Sequence, residues 1–322
     1  MLSRVAENMY WLSRYLERAE HTSRALNLTL NLILEQRTDE ERQWMMRHLM
    51  ESLFADHLPD GSTLYDMTHA LAFDRENSAS IIHCIGRARE NARQIREQIS
   101  SEMWEHLNAM YHRVNQATLD SIWQSQSTHG FFSGVTQGAH LFQGITDSTM
   151  SHNEGWYFLQ LGRYLERAIY NAHFLDVQFR VLQLSPDYPA IAKDFMKWVG
   201  LLKSFTAFES YCKVYSADLR SEQVIEFLLL NAEFPHSIRF SIDNAEQALK
   251  AIDRFTETKR AASVTRLIGK LRSDLTFAQI DEVMESTGLS IYLNQLQIEC
   301  GKVHDAVNRV YISYSVDKAL EY

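Results

Sequence analysis

Turn-forming residues are scarce in this chain. Its 322 residues include 12 glycines and 4 prolines, well under the usual combined share of roughly 12%. A β-sandwich, a barrel or a doubly wound sheet needs many tight turns, which these two residue types provide. The apolar share of 45% excludes a disordered chain. The composition therefore predicts a compact, all-helical protein.

Cysteines are few, and long apolar runs are absent. Cys84, Cys212 and Cys300 are odd in number and form no Cys-x-x-Cys pair, which argues against a disulfide framework and a thiolate zinc site. We expect reduced, buried thiols in a cytoplasmic protein. No apolar run reaches the roughly 18 residues that span a bilayer. Residues 1–11 lack the apolar region of a signal peptide, so we expect neither secretion nor membrane insertion.

Positive charge is limited and unevenly distributed. The formal net charge of −9 disfavours a nucleic-acid or anionic-membrane binder, because phosphate contacts need a cationic surface. No lysine precedes Lys193, so every earlier Lys/Arg cation is an arginine. This bias either serves the two-pronged binding of carboxylate or phosphate by arginine or reflects compositional drift. Between Arg113 and Arg163 there is neither lysine nor arginine, and the stretch holds Gly130, Gly134, Gly138 and Gly144. We expect a polar loop followed by a loosely packed helix in this stretch.

An internal repeat organises the sequence. The hexapeptide Arg-Tyr-Leu-Glu-Arg-Ala occupies residues 14–19 and recurs unchanged at 163–168. A second match aligns Leu71, Glu76, Ser80, Ile81, Ile85 and Ala88 with Leu228, Glu233, Ser237, Ile238, Ile242 and Ala245. The two matches follow the same order at nearly the same spacing. They predict a duplicated antiparallel helical bundle with an approximate internal two-fold repeat, made of units 1–148 and 149–322 packed as one body.

Each copy of the hexapeptide lies on a helix whose apolar residues form one stripe. Opposite that stripe, each copy carries two arginines one turn apart with a glutamate between them: Arg14, Glu17, Arg18 and Arg163, Glu166, Arg167. Two guanidinium groups at this spacing repel unless an anion lies between them. The anion is a glutamate of the partner helix, Glu90 or Glu102 of another helix, or a ligand carboxylate or phosphate. An ion-pair network is the simpler interpretation, and a ligand site is the alternative.

A second charged segment covers residues 88–105. Glu90 precedes Arg93 by three residues and Arg93 precedes Glu97 by four, as in exposed helical ion pairs. Ser100 or Ser101 is a candidate N-cap for the following helix, with Glu102 nearby. A solvated helix face accounts for most of this segment.

Metal and cofactor motifs are absent from the sequence. A di-iron bundle needs Glu-x-x-His steps on facing helices, whereas Glu17–His21 and Glu102–His106 are four residues apart. Glycine-rich phosphate loops and the Gly-x-Ser-x-Gly elbow are missing as well. We therefore predict no metal and no cofactor.

The chain resembles the bacterial alpha-E domain proteins, an all-helical family named for a Glu-Arg motif. The matching stretches are residues 1–7, Tyr10-Trp11, 14–20, 89–93, 96–97, 101–105, 154–156, 161–167, 226–230 and Phe234-Pro235. The resemblance adds six candidate ligand- or partner-binding residues to those of the two motif copies: Arg93, Glu97, Glu102, Trp104, Glu154 and Trp156. The chain departs from the family pattern at His152-Asn153, where Arg-Asp is usual, and at His236, where arginine is usual.

The resemblance implies a setting rather than a reaction. Relatives are encoded beside, or fused to, circularly permuted ATP-grasp amidoligases, and some stand beside transglutaminase-like peptidases. We expect an accessory subunit that docks such a ligase and presents its acceptor. One alternative is an enzyme that uses an Arg/Glu-lined cavity for acid–base work on an amide or peptide; the other is a purely structural bundle. A cavity enclosing the four motif arginines would favour the enzyme, whereas arginines paired with glutamate and closed to solvent would favour the other two.

Overall fold

The computed structural model describes residues 1–33, 38–124, 128–183, 198–216, 219–256 and 261–313, and every regular element in these ranges is helical. The helices are α1 (Ser3–Ile33), α2 (Asp39–Ser52), α3 (Leu64–Ala72), α4 (Ile81–Gln94), α5 (Ser101–Gln116), α6 (Leu119–Gln124), α7 (Thr128–Thr149), α8 (Glu154–Gln183), α9 (Phe208–Tyr215), α10 (Ser221–Leu230), α11 (Ile238–Thr256), α12 (Ala261–Phe277), α13 (Ile280–Glu282) and α14 (Leu289–Val307). Two π-helical segments, Val283–Thr287 and Asn308–Ile312, flank α14. The predicted all-α class is confirmed over this part of the chain.

The two long helices α1 and α8 pack against each other at the centre of the molecule. Helix α1 also contacts α4 and α7, and α5 packs against both of these. Helix α8 contacts α11 and α14, and α12 packs against both of these. Each central helix therefore belongs to its own group of four helices. Helix α1 is grouped with α4, α5 and α7, and α8 is grouped with α11, α12 and α14.

The predicted apolar stripes are core. In α8, all six residues of the stripe are buried: Phe158, Leu161, Leu165, Ala168, Ala172 and Leu175. In α1, five are buried, namely Met9, Leu12, Leu16, Ala19 and Leu26, and Val5 packs against the core from a partly buried position. Burial continues around α1 onto its polar side, where Glu17, Glu20 and His21 are at most 4% exposed. Buried polar groups of this kind need hydrogen-bond partners.

A glycine lets the two central helices approach closely. A Cβ atom at Gly162 of α8 would overlap the carbonyl oxygen of Tyr10 and the hydroxyl of Ser13 on α1. Only a residue without a side chain tolerates such a backbone contact. The crossing point falls immediately before both hexapeptides, so the two Arg/Glu motifs are brought together one turn further along.

Helix starts agree in part with the sequence prediction. Ser100 caps α5 as predicted, because its hydroxyl accepts a hydrogen bond from the Met103 amide at 3.1 Å. Asn77 and Ser78 are the candidate caps that the sequence offers before Ile81, but neither caps α4. Ser80 caps α4 by accepting from the His83 amide at 3.2 Å, while Asn77 accepts from the Ala79 amide in the preceding turn.

The stretch after Arg113 was predicted to be a polar loop followed by a loosely packed helix, and the helix is confirmed as α7. The glycine-containing part is not a loop, because α7 runs without interruption through Gly130, Gly134, Gly138 and Gly144. Its buried residues include Phe132, Val135, Ala139 and Phe142, whose spacing of three and four residues makes a helical stripe. The helix forms despite its glycines because burying the apolar stripe stabilises it by more than the low helix propensity of glycine destabilises it.

The apolar periodicity of the sequence also predicts helices over residues 78–99, 102–126, 188–215 and 288–318, and the structure differs at several of their ends. The segment 102–126 is split at Ala117, which has extended backbone angles. The segment 188–215 is split before α9, where Thr206 has a positive φ of 53°, and its first residues lie outside the described ranges. Helix α4 ends at Gln94 instead of continuing to residue 99. The expected end of the last helix at residue 318 likewise lies beyond the described ranges.

Candidate functional site

Glu166 of α8 binds both motif arginines of α1. Its Oε2 accepts from the Nε of Arg14, and its Oε1 accepts from the Nε of Arg18 at 2.8 Å. The Glu166 side chain is 1% exposed. Arg18 also donates to the carbonyl oxygen of Ser78 at 3.5 Å. Each carboxylate oxygen of Glu166 therefore serves one guanidinium group.

Glu17 of α1 binds the second copy of the motif in a different way. Arg167 forms a fork on it, with Nε donating to Oε1 at 2.5 Å and Nη2 donating to Oε2 at 3.0 Å. The Nη1 of Arg167 donates to the Pro235 carbonyl oxygen at 3.0 Å. The Nε of Arg163 lies 3.9 Å from the Oε2 of Glu17, which is too far for a hydrogen bond.

The network is held in its charged form. Burial alone would raise the pKa of Glu166, but the guanidinium groups of Arg14 and Arg18 hold that pKa below its ordinary value. Burial would lower the pKa of both arginines, but the Glu166 carboxylate raises it above the ordinary value. For Arg163 the result is opposite, because burial and the nearby Arg167 charge lower its pKa.

A histidine from the far end of the chain completes the environment of Arg14. The Nδ1 of His304 on α14 lies 2.8 Å from the Nη1 of Arg14 and 2.8 Å from the Tyr10 hydroxyl. Arginine can only donate, so this nitrogen is an acceptor and the imidazole is neutral. Burial and the Arg14 charge lower the pKa of His304 to about 4. Sequence reasoning missed His304, since no local pattern connects positions 14 and 304.

A second buried cluster lies one turn along α1. The Oε1 of Glu20 accepts from the Nη1 of Arg24 and lies 3.5 Å from the Nε2 of His140 on α7. The Nη2 of Arg24 donates to the Nδ1 of His21 at 3.1 Å. Sequence reasoning missed this cluster, although the four-residue spacing of Glu20 and Arg24 is a readable helical pair.

Four of the other predicted residues lie at the junction of α4 and α5. Arg93 pairs with Glu90 at 2.7 Å, as the three-residue spacing predicted. The expected pair of Arg93 with Glu97 is wrong, because Glu97 lies beyond the end of α4. Glu102 is exposed in the first turn of α5, and Trp104 is partly buried.

Trp104 belongs to an alternating stack of arginines and aromatic rings. The guanidinium carbon of Arg89 lies 5.5 Å from the centre of the Trp104 ring and 4.6 Å from that of Tyr111. The guanidinium carbon of Arg96 lies 5.8 Å from the Trp104 ring centre. Such contacts fix the planes of the guanidinium groups through cation–π attraction. We call Arg89, Arg96, Trp104 and Tyr111 the α4–α5 stack.

The remaining two predicted residues lie at the start of α8. Glu154 is the first residue of that helix and accepts a hydrogen bond from the Met1 amino group at 2.8 Å. Trp156 stacks on His152 with ring centres 4.0 Å apart. The structure thus gathers the twelve candidates into three groups rather than one site.

Two surface grooves lie away from the motif arginines. A groove of about 850 Å³ is lined by residues of α2, the segment 60–65 and Trp123. A second groove of about 380 Å³ is lined by residues between Ser273 and Tyr292. Neither groove is lined by any of the four motif arginines. Within the part of the chain that the structure describes, there is no group of three His, Cys, Asp or Glu side chains suited to a metal.

The cysteines form no disulfide bonds in the described residues. Cys84 and Cys300 are buried, Cys212 is partly buried, and all three are free. None of the helices in the described ranges is both long and apolar enough to cross a membrane.

The fold and the site define an all-helical protein in which two copies of one Arg/Glu motif interlock across two central helices. The chain belongs to the Alpha-E family, whose model is described as a predicted alpha-helical domain with a conserved ER motif and matches residues 1–312. The hexapeptides at 14–19 and 163–168 both contain the Glu-Arg dipeptide.

Similar proteins occur in mycobacteria. An uncharacterized protein of Mycobacterium bovis is 21% identical over 319 residues, which cover 91% of this chain and 34% of the relative. Uncharacterized proteins of two Mycobacterium tuberculosis strains are 21% and 20% identical over the same length and with the same coverage. The chain thus spans about a third of the length of these curated relatives. No solved structure matches it significantly.

Proposed function

We propose that this chain is an accessory subunit of an ATP-grasp amidoligase system in the cytoplasm. It docks a circularly permuted ligase and presents the acceptor of a peptide or amine modification. The two Arg/Glu motifs build the scaffold and do not react. The observation that carries this proposal is the interlocked pairing of Glu166 with Arg14 and Arg18, and of Glu17 with Arg167. Both motif carboxylates are fully engaged in buried ion pairs.

The scaffold is a duplicated bundle in this proposal, and equivalent hydrogen bonds support it. Arg18 donates to the Ser78 carbonyl, and its equivalent Arg167 donates to the Pro235 carbonyl. Ser78 and Pro235 are themselves equivalent in the second sequence match. Each central helix is therefore tied to the start of its own neighbouring helix by the same bond.

Further bonds repeat at the same turn. Thr22 donates to the Ala79 carbonyl at 3.2 Å, and the equivalent Asn171 donates to the His236 carbonyl at 2.7 Å. The Ser80 hydroxyl donates to the Asp74 carbonyl, and the Ser237 hydroxyl donates to the Asn231 carbonyl. Bonds that recur at aligned positions indicate a common origin for the units 1–148 and 149–322.

The charge state of the network supports a structural role over acid–base catalysis. A general base works best when its pKa lies near the working pH. The pKa of Glu166 is instead held low by two guanidinium groups. The alternative of an Arg/Glu-lined catalytic cavity gains no support from the two grooves, which are lined by other residues.

The α4–α5 stack is the docking surface in this proposal. Tryptophan, tyrosine and arginine are enriched where proteins bind each other. Arg89 donates from its Nε to the Oδ1 of Asn108 at 2.7 Å, whereas a stacked guanidinium such as that of Arg96 keeps its edge free to bind a partner carboxylate. Arg93 and Glu90 beside the stack are 56% and 41% exposed, so a partner can reach them. The ligase is named from the family resemblance, and the extra length of the mycobacterial relatives supports an Alpha-E domain that acts beside further protein.

Co-expression with a circularly permuted ATP-grasp ligase of the same genome tests the proposal. We expect a complex on size-exclusion chromatography and a Kd that rises about thirtyfold in Trp104→Ala, as for an interface hot spot. Trp44→Ala is the matched control, because Trp44 is also partly buried but packs on His48 of α2. The absence of a complex, or equal effects of the two substitutions, would contradict the proposal.

A further inference from the structure

The two copies of the motif are satisfied unequally. Arg14 has three acceptors: the Glu166 carboxylate, the Tyr10 hydroxyl and the Nδ1 of His304. Its equivalent in the second copy is Arg163, whose Nε is buried and has no hydrogen-bond partner. The difference has two local causes. The Oε2 of Glu17, which would correspond to the Glu166 acceptor, lies 3.9 Å from the Arg163 Nε. Leu159 stands at the position equivalent to Tyr10, so the acceptor that Tyr10 supplies to the Nη1 of Arg14 is missing from the second copy.

The two carboxylates near Arg163 each bind another arginine. Both oxygens of Glu17 accept from the fork of Arg167. The Oε1 of Glu20 accepts from Arg24. Three guanidinium groups thus share two carboxylates, which leaves one surplus positive charge in this half of the network.

A buried histidine adds a second unsatisfied group. His236 is 8% exposed, and its Nδ1 has no hydrogen-bond partner. Burial and the charges of Arg167, Arg24 and Arg163 hold its pKa well below the ordinary value, so the ring stays neutral. A neutral imidazole can donate one hydrogen bond without adding charge.

Arg163 can be reached from outside, whereas Arg14 is closed. The side chain of Arg163 is 21% exposed, compared with 7% for Arg14. Its guanidinium carbon lies 5.0 Å from the centre of the Tyr164 ring, which holds the plane in place. A stacked, partly open guanidinium with no acceptor is well arranged to bind an oxyanion through two parallel hydrogen bonds.

We propose that Arg163 is the receiving group of an oxyanion site that takes one carboxylate of a ligand, with His236 at its buried side. A carboxylate carries a single negative charge, which matches the single surplus positive charge. The unpartnered Oε2 of Glu20 in the same cluster disfavours a doubly charged phosphate. This site does not depend on the docking surface at α4–α5, so either proposal can fail without the other.

Acetate titration at constant ionic strength tests the site, with chloride as the balancing anion and inorganic phosphate as a second probe. We expect acetate to raise the Tm of the unsubstituted protein above the chloride baseline. We expect acetate also to shift the Arg163 Nε–H resonance, identified as the signal that Arg163→Gln removes. In Arg163→Gln, the acetate Kd should rise about tenfold or more, because a charge-assisted bond is lost.

Two control variants separate a site from a structural role. Arg93→Gln removes an exposed arginine on α4 and should keep the full acetate response. Arg14→Gln removes three hydrogen bonds and should lower the Tm, whereas Arg163→Gln should leave the Tm in chloride unchanged or higher. An acetate response retained in Arg163→Gln, or equal responses to acetate and chloride, would overturn the site. A response to phosphate stronger than that to acetate would overturn the carboxylate assignment.

Discussion

Replacing Glu166 with glutamine tests the central structural claim with the smallest possible change. The substitution keeps the shape of the side chain and removes its negative charge. Arg14 and Arg18 then lose their shared carboxylate, while their side chains are only 7% and 18% exposed. Neither guanidinium can be rehydrated fully without opening the α1–α8 interface.

The expected loss of stability is large for a single isosteric substitution. Removing one partner of a buried ion pair costs roughly 3–5 kcal/mol, because the other charge stays buried and unpaired. Unfolding entropy is about 2.1 cal/mol/K per residue, so 322 residues give about 0.7 kcal/mol/K. The melting temperature should therefore fall by about 4–7 °C.

Calorimetry of three glutamate-to-glutamine variants measures this effect. Glu17→Gln should resemble Glu166→Gln, because it removes the carboxylate of the other motif copy. Glu90→Gln is the control: Glu90 pairs with Arg93 on the surface, and exposed ion pairs contribute little. A Glu166→Gln protein that melts like the control, or at a higher temperature than the unsubstituted chain, would refute the reasoning. A rise would mean that the arginines repel each other and await an external anion.

Three further predictions concern the crossing, the repeat and pH. Gly162→Ala should destabilise the protein by about 1–3 kcal/mol, because the added Cβ overlaps α1 at the α1–α8 crossing. Gly144→Ala has open space at its Cβ position and should stabilise α7 by about 0.5–1 kcal/mol. Thermal melts compare the two variants. The Ser237 hydroxyl accepts from the Phe240 amide at 3.0 Å, as the Ser80 hydroxyl does from the His83 amide. Ser80→Ala and Ser237→Ala should each cost about 1 kcal/mol, and clearly unequal losses in urea titrations would count against equivalent caps. Burial and Arg14 lower the pKa of His304 to about 4, so the folded state binds fewer protons than the unfolded state between about pH 6.5 and 4. Stability should therefore fall as the pH drops through this window, and a His304→Gln variant should show a shallower slope of Tm against pH.

Local sequence patterns predicted the two central helices and included the motif partners among the candidate anions. The apolar stripes of α1 and α8 have a period that only a helix satisfies, and their residues are buried as expected. The exact hexapeptide repeat placed matching arginines and glutamates on two helices. Their mutual repulsion within each helix predicted an anion between them, with a glutamate of the partner helix as one of several candidates. The structure places Glu166 and Glu17 in that role.

Contacts between distant parts of the chain were beyond sequence reasoning. His304 reaches Arg14 because α14 packs on α8 and the following π-helical segment contacts α1. The pairing of Arg93 depended on where α4 ends, and helix ends are set by local caps and packing that periodicity does not encode. The glycines of α7 misled the prediction because glycine lowers helix propensity by only about 1 kcal/mol per residue, which a buried stripe outweighs.

The motif has an imbalance built into it, since each copy brings two arginines and one glutamate. Interlocking two copies cannot remove that imbalance, because four guanidinium groups still share two carboxylates. The first half resolves it by dividing Glu166 between two arginines and adding neutral acceptors from Tyr10 and His304. The second half gives the whole of Glu17 to Arg167, and Leu159 stands where Tyr10 would supply an acceptor. Selection for stability alone would favour the same solution twice, so the half in which Arg163 stays open is where function is expected.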